Sequence, residues 1–131
     1  LFRSNGLENI YLMSYLRNID VNKIDNNLDK IIEFSGIGDA INREVRTYSS
    51  GMKIRLATSI SLFLETDIFL IDEFFGAGDK DFIQKTKNAL IKKIEKTGIL
   101  VIATHDEKII DTYCNRKIKL VNGKIIEDNY I

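Results

Sequence analysis

Two short apolar runs, Ile68-Phe69-Leu70-Ile71 and Ile99-Leu100-Val101-Ile102-Ala103, constrain the fold of this 131-residue chain more than any other feature. Each run is continuous rather than alternating, which predicts strands covered on both faces, as in a parallel sheet. Between them lies a helical pattern over roughly residues 81–96, with Phe82, Ile83, Ala89, Leu90 and Ile94 turned to a core and Gly98 as its stop. Strand, helix and strand in that order imply a right-handed crossover and parallel pairing. A short helix is expected at about 107–113. Residues 117–121 and 124–127 then flank Asn122-Gly123, a pair suited to a type I′ hairpin turn.

The first third reads as helical. Ile10, Met13 and Leu16 keep helical spacing, and after a break near Asn18-Ile19-Asp20 so do Val21, Ile24, Leu28, Ile31 and Ile32. Proline is absent, so glycine punctuates the chain, and Gly36 is placed to end a helix. A polar stretch over 42–50 precedes Gly51, and residues 52–65 form a mostly buried helix. The reading is an α/β fold with parallel strands, preceded by a helical segment. It divides into residues 1–66 and residues 67–131.

Composition narrows the function classes. Nineteen Lys+Arg balance nineteen Asp+Glu, so no basic field is available to hold nucleic acid. The single Cys114 excludes an internal disulfide framework, fits a reducing compartment, and reads as a small packed thiol. No apolar run approaches the ~20 residues that cross a bilayer. A soluble, intracellular, globular chain is expected. Lys92, Lys93 and Lys96 read as a solvated helix face.

Open parallel sheets bind ligands beyond the carboxyl ends of their strands. Asp72-Glu73 ends the first apolar run, and Thr104-His105-Asp106 ends the second. If the strands are neighbours, two carboxylates and an imidazole share one rim. Asp72 is suited to hold a hydrated Mg²⁺ and Glu73 to orient or deprotonate a water, with His105 touching a phosphoryl oxygen. Solvated strand-end acids and a structural histidine are the plainer alternative. A third element, Thr47-Tyr48-Ser49-Ser50-Gly51-Met52, immediately precedes a helix and combines hydroxyls, a glycine and backbone N–H donors into an oxyanion site.

In this order the motifs resemble those of the ATP-binding subunits of ABC transporters. Tyr48 to Met52 is similar to the signature usually written LSGGQ, and Ile68 to Glu73 to the Walker B strand with its glutamate. Gly76-Ala77-Gly78-Asp79 stands where the D-loop belongs, and His105 where the switch histidine belongs. Glu8-Asn9-Ile10 and the Thr-Tyr-Ser-Ser-Gly-Met wording resemble the polysaccharide-export branch, which handles O-antigen, capsule or teichoic acid chains.

The resemblance implies part of a P-loop NTPase (RecA-like) core behind an ABC-type helical subdomain. It implies ATP and Mg²⁺ as cofactors, with Asp72 holding the metal through water, Glu73 as general base and His105 sensing the γ-phosphate. Ser49, Ser50, Gly51 and Met52 would contact ATP bound to a second nucleotide-binding subunit in a homodimer, and Asp79 would link the two sites. The implied partner is a transmembrane permease, and the implied location is the inner face of the plasma membrane. The helices over residues 7–34 are then either plain core or the surface that docks the permease.

No G-x-x-x-x-G-K-[ST] loop occurs in these residues, and neither the glutamine loop nor the adenine-stacking aromatic of the family is present. The sequence therefore reads as the C-terminal part of a nucleotide-binding domain. Phe74-Phe75 replaces the Pro-Thr of many members and reads as packing under the D-loop. Two other functions stay open: a non-enzymatic fragment that does not hold ATP alone, and an ABC-type ATPase with a soluble partner.

Overall fold

The structure, a computed structural model, describes residues 3–72 and 79–131. They form two compact units, residues 3–66 with 79–96, and residues 67–72 with 97–131.

The first unit is helical. α1 (Gly6–Tyr15) starts at a reciprocal cap, in which Asn5 Oδ1 accepts the Glu8 N–H at 2.8 Å and Glu8 Oε2 accepts the Asn5 N–H at 2.9 Å. This serves two donors at the helix start. The expected break follows, with Asn18 at a φ of 55°. α2 (Val21–Asp25) and α3 (Leu28–Ser35) come next, and α3 ends at Gly36, whose φ of 62° is left-handed. Two 3-10 turns, Gly38–Asn42 and Val45–Thr47, lead to α4 (Ser50–Phe63). α5 (Lys80–Ile94) completes the unit.

Ile10, Ile24, Ile31, Leu56, Ile60 and Leu64 are each at most 3% exposed and share one core. Burying each stabilises the fold by about 1.5–3 kcal/mol. Phe34 on α3 meets Phe63 on α4 and Phe82 on α5 edge-on, at centroid separations of 5.2 and 5.8 Å. At the start of α1 the chain approaches the segment before α4 very closely. A Cβ on Gly6 would stand 2.9 Å from the Ile41 carbonyl oxygen, so room rather than backbone conformation requires glycine. Nearby, Ser4 accepts the Val45 N–H at 3.0 Å, and Asn5 bridges Glu44.

The second unit carries the strands. β1 (Ile68–Asp72) pairs in parallel with β2 (Ile99–Ala103), in register from Ile68 opposite Ile99 to Asp72 opposite Ala103. α6 (Glu107–Tyr113) follows, then β3 (Arg116–Val121) and β4 (Lys124–Tyr130), paired antiparallel. Asn122 and Gly123 join them with φ values of 49° and 74°, the doubly positive pattern of the expected turn. Arg116 grips Asp128 through both carboxylate oxygens at 2.8 and 2.7 Å, and its guanidinium lies 5.5 Å from the Tyr130 ring centre.

The mixed α/β architecture with a parallel pair is as expected, and two details differ. The apolar runs are not covered on both faces among the described residues. Phe69 and Ile71 are buried, but Ile68, Leu70, Ile99 and Val101 are 54, 71, 54 and 51% exposed. These four form one side of the two-stranded sheet, and no layer of the described residues covers it. Lys93 is not part of a solvated face either. It is 9% exposed, because its stem follows the core while its ammonium reaches a main-chain carbonyl. Lys92 and Lys96 are exposed as expected. Among the described residues, no helix is long and apolar enough to cross a membrane.

Candidate functional site

The parallel register puts the carboxyl ends of β1 and β2 level, with Asp72 opposite Ala103. Asp72 is exposed there, and His105 is exposed two residues beyond Ala103. The turn holding His105 is organised by its neighbours. Thr104 Oγ1 accepts the Asp106 N–H at 3.1 Å, and Asp106 caps α6 by accepting the Lys108 N–H at 3.0 Å. One acid and the imidazole therefore leave adjoining strands at the same end. Glu73, Phe74-Phe75 and Gly76-Ala77-Gly78 lie outside the described residues.

Among the described residues no three His, Cys, Asp or Glu side chains cluster as a cage for a metal ion. An exposed carboxylate at a strand end instead fits Mg²⁺, which keeps several waters and takes one or two carboxylates plus phosphate oxygens. Asp72 is the described residue that would hold it.

At the start of α4, Ser49 accepts the Met52 N–H on its hydroxyl at 3.2 Å. Ser49 and Ser50 are exposed, whereas Met52 is half-buried and packs on the core. Tyr48, just before them, is 5% exposed and donates to the Ala40 carbonyl at 2.5 Å. Burial raises its phenol above the ordinary range, opposed by the Arg43 charge. Tyr48 thus anchors the segment inside a stretch that reads as polar. Gly51 has an ordinary negative-φ backbone, and a Cβ there would meet nothing closer than Ser49 Oγ at 3.8 Å. Glycine early in a helix costs about 0.5–1 kcal/mol relative to alanine. Nothing in the packing requires it, and its bareness leaves the first-turn N–H donors approachable.

Asp79 caps α5, accepting the Phe82 N–H on Oδ1 at 3.0 Å, and ion-pairs through Oδ2 with Arg55 of α4. The Phe82 N–H, and then Arg55, hold its carboxyl below the usual range. Arg55 is the residue that sequence reasoning missed. Its partner lies 24 residues away, and only the capping Asp before a helical pattern was readable. The structure therefore ties Asp79 to α4, the helix that Ser49 to Met52 begin, within the first unit, and it places Asp72 and the His105 turn at one end of paired strands within the second.

No protein-family model matches the chain. Individual proteins do. The chain is 38% identical over 125 residues to the O-antigen export system ATP-binding protein RfbE of Yersinia enterocolitica, covering 95% of this chain and 52% of that protein. It is 36% identical over 121 residues to the teichoic acids export ATP-binding protein TagH of Lactococcus lactis, covering 92% of this chain and 26% of that one. It is 35% identical over 118 residues to the ATP-binding protein BexA of Haemophilus influenzae, covering 90% and 52%. The chain thus spans about half the length of two of these relatives and about a quarter of the third. A solved structure of an ATP-binding subunit of an ABC transporter superimposes with a TM-score of 0.80 at 20% identity, covering 100% of this chain and 55% of that one. Over nearly its whole length, this chain is a homologue of ATP-binding proteins of O-antigen and teichoic acid export systems, and its fold matches about half of that of an ABC transporter ATP-binding subunit.

Proposed function

We propose that these residues form part of an ATP-hydrolysing subunit that drives export of a cell-surface polysaccharide. The observation that carries this reading is the level parallel pairing of β1 and β2, which delivers Asp72 and the His105 turn to one end. The homology supplies the class of reaction.

In this reading Mg²⁺, when bound with ATP, neutralises charge on the phosphoryl oxygens. Asp72 would hold the hydrated ion. Glu73 orients the attacking water and receives its proton on a carboxylate oxygen. His105 contacts the γ-phosphoryl oxygen as charge moves during transfer. Ser49, Ser50, Gly51 and Met52 present hydroxyls and the donors at the start of α4 to ATP held by a second copy of the subunit, and the bareness of Gly51 supports that role. Asp79 ties one site to the other. The subunit works as a homodimer beneath a transmembrane permease at the inner face of the plasma membrane, and nucleic acid is not a partner.

The 131 residues contain no phosphate-cradling G-x-x-x-x-G-K-[ST] loop, so alone they hold Mg-ATP weakly or not at all. Calorimetric titration of this chain tests that point, and micromolar affinity would contradict it. The reading as a whole is tested by Glu73→Gln in the full-length protein. ATP binding is expected to persist while turnover nearly disappears, and hydrolysis at the parental rate would remove Glu73 as the base.

A further inference from the structure

We propose that Arg55 is a positioning residue that fixes Asp79 to the helix carrying Ser49 to Met52, so that both nucleotide-facing segments act as one body. The proposal rests on the reading of those segments given above and concerns how they are held.

Each carboxylate oxygen of Asp79 holds one partner inside its own chain, which fixes its direction and leaves lone pairs on its exposed side. Oδ1 receives the first-turn N–H of α5, and Oδ2 receives the Arg55 guanidinium. Arg55 lies five residues beyond Ser50 in α4, about 7.5 Å along the axis at 1.5 Å per residue. The pair therefore sits next to the end of α4 that carries the two serines.

The guanidinium is held on two further sides. Its carbon is 5.1 Å from the centre of the Phe82 ring, a ring that is only 2% exposed. Its Nη1 lies 3.1 Å from where a Cβ on Gly36 would stand, so the glycine that ends α3 also leaves room for it. Lys85 supports the same junction, donating to the Phe34 carbonyl at 2.5 Å and standing 4.6 and 5.1 Å from the Phe34 and Phe82 ring centres. The carbonyl belongs to the last turn of α3, where a cation is favourable.

The pair is too open to matter chiefly for stability, since its side chains are 29 and 51% exposed. What it supplies is direction. A planar fork can grip a carboxylate while lying on a ring, which an ammonium cannot do equally well. While Arg55 holds, Asp79 cannot swing away without also losing its register with α4.

The test uses the full-length protein with Arg55→Gln, Arg55→Lys and Asp79→Asn. Arg55→Gln is expected to lower kcat about tenfold or more with KM for Mg-ATP unchanged, because misplacement is felt in the reacting geometry. Arg55→Lys should recover part of that loss. Arg55→Gln combined with Asp79→Asn should be no slower than the worse single variant, as for residues acting through one contact. Amide exchange at Phe82 reports the cap directly and should quicken about tenfold in Arg55→Gln. Unchanged exchange at Phe82 would overturn the link between the two residues. Faster exchange with an unchanged kcat would overturn its role in turnover while leaving the hydrolysis reading intact. Failure of that reading shows separately, as parental hydrolysis by Glu73→Gln.

Discussion

The ammonium of Lys93 on α5 donates to the main-chain carbonyl of Leu64, the residue that closes α4. Both residues are buried, at 9 and 1% exposure. The contact joins two helices whose sequences are separated by β1, and it gives the end of α4 a cation where the helix dipole favours one.

Lys93 therefore governs a measurable pH dependence. Burial, aided by Arg17 and opposed by Glu65, pulls its amine below the ordinary lysine value of 10.5. Between the lowered value and 10.5 the unfolded chain binds more protons than the folded one, so this residue makes stability rise with pH across that window. Lys93→Met should abolish that slope in urea denaturation. Lys93→Ala should abolish it too. Both variants leave the Leu64 carbonyl without its ammonium, and Lys93→Ala should cost about 2 kcal/mol more through the lost stem.

At the other end of the unit, Gly6→Ala is expected to destabilise the fold by about 1–3 kcal/mol, as overpacking of a filled core does. The new methyl would meet the Ile41 carbonyl and the Tyr48 hydroxyl. Thermal unfolding would measure the loss, and Tyr48→Phe should relieve part of it in the double variant.

Asp79 gives the acid-side counterpart of Lys93. Its carboxyl is lowered from 3.8 by the Phe82 N–H and by Arg55. Its contribution is complete above the unfolded value and is lost as pH falls through the lowered one. Asp79→Asn retains a capping oxygen but not the charge. The stability gap between the parental chain and this variant should therefore close on acidification, as followed by circular dichroism.

The hairpin turn offers a purely local prediction. Gly123 has a φ of 74°, which a β-branched residue tolerates poorly. Gly123→Val should weaken the β3–β4 pairing by about 1–2 kcal/mol. Faster amide exchange across the hairpin would show it, and the first unit's amides should not change.

What was legible in the sequence was local. Gly36, Asn122-Gly123 and the Ser49 cap each depend on a few neighbouring residues, and each does what its chemistry suggests. The two apolar runs also predicted their own parallel pairing, since the helical stretch between them leaves few other routes. What was not legible depends on distant residues. Lys93 looks like its solvated neighbours until α4 places a carbonyl beside it. Tyr48 sits in a polar stretch, yet Ala40 and Gly6 enclose it. The side of the β1–β2 pair that no described residue layer covers could not be inferred from runs that read as covered on both sides. For the site, the residue types at the ends of β1 and β2 were readable, whereas Arg55 was invisible because its partner arrives through an intervening strand.

The helical unit is interrupted in sequence, and this sets an order of events during synthesis. Phe34 and Phe63 are made early, but Phe82, which meets Phe34, belongs to a helix that ends at Ile94. The ribosome must release β1 before the last wall of the earlier body exists. A nascent chain paused between β1 and α5 therefore carries an unfinished aromatic seam, and it is at that stage that a holding chaperone would have most to grip.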